Sequence, residues 1–188
     1  MADTTSTTPT TNKSYIPLGS GHLYFTEFTG TIPDDTKIET EANRLGYIEG
    51  GAEVEYKTTF KTFKDDLGLV SRTELTEEEA TLKATLIAWS MHNFQVFAGT
   101  ASVDETTTSG KRIVKIGGIG NDSKKSYVFR FVHPDAKYGD VRITIVGKQT
   151  AGFKLAYKKD AAGSMDLEVT AEAQDTKGTL LQYQETIK

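Results

Sequence analysis

From Ala52 to Lys64 the chain alternates apolar residues with charged ones or threonine, and after Asp65, Asp66, Leu67 and Gly68 a second extended run begins. Side chains on a strand point to opposite faces at successive positions, so such a run predicts one wet face and one apolar face. The two runs, Ala52–Lys64 and Leu69–Ala80, therefore predict a long β-hairpin turned at Asp65–Gly68. A hairpin this long and this polar is poorly suited to the interior of a compact core. It is better suited to pairing with neighbouring subunits.

The same reading extends along the rest of the chain. His22–Phe28 predicts a first strand, closed by Gly30 and Pro33, and Asp34–Arg44 has the polar composition of a short helix capped by Asp34 or Asp35. Leu45–Gly51 reads as a break. Ala80, Leu82, Ala84, Leu86 and Ala88 share one strand face, with Thr81, Lys83 and Thr85 between them, although Ala and Leu also favour helix. Trp89–Phe97 predicts an amphipathic helix ended by Gly99. Residues 100–110 read as a Thr-rich loop, and Arg112–Ile116 and Tyr127–Val132 as a strand pair about Gly117–Asp122. Val141–Val146, β-branched at most positions, predicts a further strand. Gly152–Tyr157, Met165–Gln174 and Thr179–Ile187 complete eight or nine strands. The expected fold is mainly β: an antiparallel sandwich or barrel with one flanking α-helix and a long protruding hairpin spanning 52–79.

Composition narrows this picture. At 188 residues, 37 % hydrophobic and 26 % charged, the chain can bury one substantial core. Residues 1–13 hold six threonines without apolar periodicity and are expected to be a flexible arm, leaving 14–188 as a single domain. The net charge of −4 argues against the basic footprint of a nucleic-acid binder. Cysteine is absent, so disulfides and thiolate metal sites are excluded. No run approaches the roughly 20 apolar residues of a membrane span, and the start lacks a secretory pattern, so folding in the cytoplasm is expected.

Candidate chemistry is sparse. Gly118 and Gly120 lack the third glycine and following helix that phosphate binding needs, and read as a turn. His22, His92 and His133 are isolated from one another at metal spacing, and no Gly-x-Ser-x-Gly elbow supports a serine nucleophile. Asp65 with Asp66, and Glu77 with Glu78 and Glu79, are adjacent carboxylates that diverge on a strand or turn. The expectation is no catalytic residue, no cofactor and no metal. Met165–Gln174 is different: Asp166, Glu168, Thr170, Glu172 and Gln174 share one face, and Leu167, Val169, Ala171 and Ala173 the other. The wet face is either solvated exterior or, in a ring of copies, the wall of a bore whose negative potential repels a polyanion.

The order of these elements resembles a known family. The resemblance rests on Gly50 and Gly51 before the hairpin, its Asp65–Gly68 tip and the strand approach Glu77–Lys83. It continues through the aromatic segment Trp89–Phe97 and the strand-rich half ending in Met165–Gly178. Together they are similar to the major tail tube proteins of long-tailed bacteriophages, relatives of the tubes of contractile tails and type VI secretion. The resemblance implies a virion protein, made in the host cytoplasm, that assembles into stacked hexameric rings through which DNA passes without specific binding. Its implied partners are further copies of itself, a tape-measure protein, a tail terminator, and baseplate or distal tail proteins, with no membrane.

On that reading Lys57, Lys61, Lys64, Asp65, Asp66, Leu67, Arg72 and Glu74 form the contact between subunits or rings, both charge signs being present for head-to-tail pairing. Asp166, Glu168 and Glu172 would face the lumen, with Glu53 and Glu55 as second choices. Two other function classes stand beside this one. An immunoglobulin-like adhesion or carbohydrate-binding module would use loops 100–110 and 117–126, where only Tyr127 offers a ring for stacking. A small β-barrel hydrolase would need its carboxylates assembled from distant strands.

Overall fold

The computed structural model describes residues 19–90, 93–106 and 110–186; the Thr-rich arm 1–13 and His92 lie outside them. Ten strands are present among the described residues. β1 (His22–Glu27), β2 (Arg44–Lys64) and β3 (Ser71–Trp89) come first, with α1 (Asp35–Ile38) between β1 and β2. α2 (Phe94–Phe97) leads to β4 (Ala101–Thr106) and β5 (Lys111–Ile116). β6 (Tyr127–His133), β7 (Val141–Gln149), β8 (Leu155–Lys158), β9 (Ala161–Ala171) and β10 (Leu181–Glu185) complete the chain. The mainly β, antiparallel architecture expected from the sequence is what the structure has.

Eight strands form one sheet in the order β10-β7-β6-β1-β2-β3-β9-β8, and a further pairing of β7 with β9 closes the six strands from β7 through β9 into a barrel. Closure is possible because β7 changes neighbours along its length. Its first part pairs with β10, from Val141↔Glu185 to Ile145↔Leu181, and its last part with β9, from Gly147↔Ala171 to Gln149↔Val169. Gly147 sits at the switch. A Cβ there would lie 2.0 Å from the Thr170 carbonyl oxygen, so the two backbones can approach only without a side chain. Gly147→Ala is expected to destabilise the fold by about 2–3 kcal/mol through overpacking at this seam. Urea denaturation checks this, and a loss under about 0.5 kcal/mol would contradict it.

Alternation along the strands fills the barrel. Leu82, Ala84 and Leu86 of β3 face Val169, Leu167 and Met165 of β9 in register, and all six are buried. Leu23, Leu45, Phe129 and Ile145 join them, and Phe94 of α2 meets Phe153 edge-on with ring centroids 4.8 Å apart. Burying one such side chain contributes about 1.5–3 kcal/mol. β6 is buried on both faces. Its outward residues Val128 and Val132 pack with Tyr24, Val146 and Ile38 of α1 into a second apolar layer.

Arg130, 3 % exposed, reaches from β6 into that layer, donating Nε to Thr144 Oγ1 at 2.9 Å and pairing with Asp35 and Glu39. Arg142 Nε donates to Glu39 Oε1 at 2.6 Å. A buried guanidinium without a carboxylate would carry a large desolvation cost, so α1 supplies the counter-charges as well as a hydrophobic lid.

Several local expectations are corrected. Of the helix foreseen over Trp89–Phe97, the described residues form α-helix at Phe94–Phe97, and Trp89 ends β3. Asp34–Arg44 holds only α1 and a single 3-10 turn at Glu41–Asn43, and Asp34 makes no side-chain capping bond. Leu45–Gly51 does not break the chain. β2 runs through it, absorbing Gly50 and Gly51, at φ +75° and +86°, in a bulge between Glu49 and Ala52. The loop expected at 100–110 contains β4, and β5 pairs with β4 rather than with Tyr127–Val132, which lies between β1 and β7.

Candidate assembly surfaces

The long hairpin divides into a part inside the barrel wall and a part beyond it. β3 loses its second neighbour after Thr81↔Thr170, while β2 and β3 continue in register out to Lys64↔Ser71. The ten residues Ser71–Ala80 span roughly 30 Å at about 3.3 Å per residue. This stretch is held by side-chain bonds of its own, two across the strands and one along β3. Thr62 and Thr73 hydroxyls lie 2.9 Å apart, Tyr56 Oη donates to Glu78 at 3.0 Å, and Arg72 pairs with Glu74. The turn is closed by the Val70 amide donating to Asp65 Oδ1 at 2.8 Å, with Gly68 at φ +70° supplying the left-handed step.

All eight residues expected at a subunit contact sit on this projection: Lys57, Lys61, Lys64, Asp65, Asp66, Leu67 and Arg72 are exposed and Glu74 is half-buried. They are brought together by the hairpin alone, independently of the barrel. Lys61 stands opposite Glu74, and Lys57 opposite Glu79. Lys57 donates to Glu55 at 2.9 Å, and that hydrogen bond raises its pKa above the ordinary lysine value. The sequence reading overlooked the apolar content of the same surface. Leu67, Leu69 and Val70 are 80 %, 79 % and 70 % exposed, and Phe60, Phe63 and Leu75 also face water. Phe60 and Phe63 point to opposite faces of β2, and Leu67, Leu69 and Val70 lie in the turn, so no single alternating pattern marked them. Covering each large side chain would contribute about 1.5–3 kcal/mol, which the described barrel leaves unused.

The five residues proposed for a lumen lie on one continuous surface, the outward face of the barrel wall. Across it, Glu53 of β2, Lys83 of β3 and Glu168 of β9 fall in one row, and Glu55, Thr81 and Thr170 in the next. Asp166 accepts a hydrogen bond from Thr85 Oγ1 at 3.0 Å. Glu172, just past β9, pairs with Lys148 at 3.2 Å and accepts from Ser126 Oγ at 2.5 Å. Glu168 pairs with Lys83 at 3.3 Å. This face is thus interleaved rather than uniformly acidic. Counting Glu53, Glu55, Glu79, Asp166, Glu168 and Glu172 against Lys57, Lys83 and Lys148 leaves three carboxylates in excess. Exposed pairs of this kind contribute at most about 1 kcal/mol to stability. Their stronger effect is on the potential in front of the wall. A groove of about 680 Å³ runs along the same face, between Gly50–Glu53 and Ala151–Lys154.

Among the described residues no group of His, Asp and Glu could hold a metal ion. His133 is buried with Nδ1 2.8 Å from the Ser20 carbonyl oxygen, a structural position beneath the chain leading into β1. Gly118–Gly120 takes part in a 3-10 turn that begins at Ile119, not in a loop leading into an α-helix. No helix of the described residues is long and apolar enough to cross a membrane.

No family model matches the chain, and no curated protein matches it. Among solved structures it is similar to a chain of the virion of a native gene transfer agent particle, with a TM-score of 0.40 and 10 % sequence identity, over 88 % of this chain and 95 % of that one.

Proposed function

We propose that the chain is a non-enzymatic structural subunit of a bacteriophage tail tube, assembling into hexameric rings that stack into a conduit for DNA. The observation that carries this reading is the projecting hairpin: about 30 Å of two-stranded ribbon, apolar at its tip, whose two backbone edges beyond Thr81 have no strand partner among the described residues. A ribbon of this kind is a template for pairing with another chain, and its interleaved charges discourage the wrong partner. The face carrying Asp166, Glu168 and Glu172 is the proposed lumen wall, its net negative charge keeping DNA from adhering. Partners in this reading are other copies of the chain, a tape-measure protein, a tail terminator and distal tail proteins, and the location is the virion.

Size-exclusion chromatography over a concentration series, followed by negative-stain imaging, tests it. Rings or filaments with an open bore are expected as concentration rises. A monomer at every concentration, also in the presence of tail initiator proteins, would leave the reading without support and favour a binding module.

A further inference from the structure

Beyond the barrel, the ribbon continues the core-facing side of β2 and leaves it uncovered. Val54 packs against the core, and Tyr56 stands opposite Ala80, which is buried in it. The same face of β2 then carries Thr58 and Phe60, opposite Glu78 and Leu75. Tyr56, Phe60 and Leu75 are 52 %, 61 % and 43 % exposed. A two-stranded ribbon is marginal in water, and a third strand beside an apolar face is what makes such a unit stable. One edge is open for it. β1 pairs with β2 only at Leu23↔Gly46 and Tyr24↔Arg44, so from Tyr47 to Lys64 the side of β2 away from β3 has no strand partner among the described residues.

The described chain begins beside that edge. β1 and β2 are antiparallel, so the path back from Leu23 to Gly19 runs along β2 in the direction of the hairpin tip. Gly21 lies close on β6, where a Cβ would stand 2.3 Å from the Val132 carbonyl oxygen, and His133 Nδ1 is 2.8 Å from the Ser20 carbonyl oxygen. β6 ends at His133, so of the two strands flanking β1 only β2 continues toward the tip. Gly19 stands four residues before Leu23, about 13 Å at about 3.3 Å per residue. Tyr56 stands ten beyond Gly46, of which Gly50 and Gly51 are taken up in the bulge, leaving about 26 Å. The difference of about 13 Å is four residues of strand, which brings Tyr15 level with Tyr56 and Thr11 level with Phe60. Residues 10–16 contain neither proline nor glycine and lie between Pro9 and Pro17, residues that bound a strand more readily than they enter one. Thr10, Thr11, Tyr15 and Ile16 among them favour strand.

We propose that residues 10–16 add to the open edge of β2 in the same molecule as a third, antiparallel strand, with Tyr15 beside Tyr56 and Thr11 beside Phe60. Only Pro17 and Leu18 separate this strand from Gly19, a tether short enough to hold it at an effective concentration on the order of millimolar. The contact is made within one subunit, so it stands apart from the tube reading, and it leaves the edge of β3 open.

The chain has no cysteine, so introduced thiols report unambiguously. Full-length protein carrying Ile16→Cys with Glu53→Cys, Glu55→Cys or Lys57→Cys is held dilute and mildly oxidised. At least one pairing is expected to give an intramolecular disulfide, several-fold more abundant than in the control, Ile16→Cys with Tyr157→Cys on β8. As an independent measurement, amide hydrogen exchange of the dilute cysteine-free chain should be at least tenfold slower than in a free chain over residues 10–16 and at the alternate amides of residues 55–61 that do not bond β3. Thr11→Pro with Asn12→Pro, which removes one amide of each parity, should abolish both protections and leave the amides shared by β1 and β6 unchanged. Cross-links no more abundant than in the control, cross-links found only between molecules, or free-chain exchange over residues 10–16 would each overturn the third strand. None of these outcomes touches the tube reading, which the concentration series decides.

Discussion

A variant lacking Thr62–Val70 is expected to fold, remain monomeric and form no tubes. In the intact hairpin Lys61 stands opposite Glu74, so the deletion leaves Ser71, Arg72 and Thr73 as a three-residue loop between aligned strands. Everything removed is exposed, and the barrel core, from Leu23 to Val169, loses no contact. The melting temperature should therefore stay within about 4–8 °C of the parent, the shift that roughly 1 kcal/mol produces in a small domain. Assembly should fall below detection, since the deletion takes away three large aliphatic side chains and the turn that presents them. Circular dichroism and negative-stain imaging read the two halves of the result. Tubes of ordinary length from the deleted protein would defeat the assignment of the hairpin to assembly.

Reversing Asp166, Glu168 and Glu172 to lysine is expected to spare assembly and cripple passage of DNA. The proposed wall would change from three carboxylates in excess to three ammoniums in excess, six charge units per subunit. Multiplied around a ring, that converts a repelling surface into one that condenses phosphates. Tubes of the variant should retain short duplex DNA at 50 mM salt and release it steeply by 200 mM, a fall of about 10³-fold for six or more phosphate contacts. Tubes of the parent should retain none at either concentration. A modest loss of stability accompanies the change, because Lys83 and Lys148 would face like charges. Asp166→Asn, Glu168→Gln and Glu172→Gln together separate the two effects, giving intermediate retention without repulsion. Tubes that assemble and retain no more DNA than the parent would take these residues off the lumen.

Strand existence was readable wherever one face is buried and the other wet, as in Leu82–Leu86 and Met165–Val169, because burial imposes the period of two. The reading failed where tertiary context overrides local preference. Trp89 follows a run of good helix formers, yet it is drawn into β3 by pairing with Gly46, some 40 residues earlier. Thr and charge filled the stretch before Gly110, so β4 looked like a loop. Its strand character comes from Val103 packing on the core beside Val114, a contact no local window contains. Gly50 and Gly51 signalled a break and instead mark a bulge, an ambiguity glycine pairs carry in any strand. The acidic row on β9 was legible from parity alone. Its lysine counterparts were not, since Lys83 and Lys148 reach it only through the register of three strands.

The pairing of β1 with β6 joins residues 100 to 110 positions apart, whereas β2 and β3 are linked by a six-residue turn. During synthesis the hairpin, with its apolar tip, can therefore form while the sheet that will anchor it still lacks its central partner. On a ribosome crowded with sister chains, premature capture of one unfinished molecule by another becomes the main hazard. The carboxylate run Glu77–Glu79 at the hairpin's root sets like charges on such nascent chains until Ala171 has emerged and β9 can close on β7.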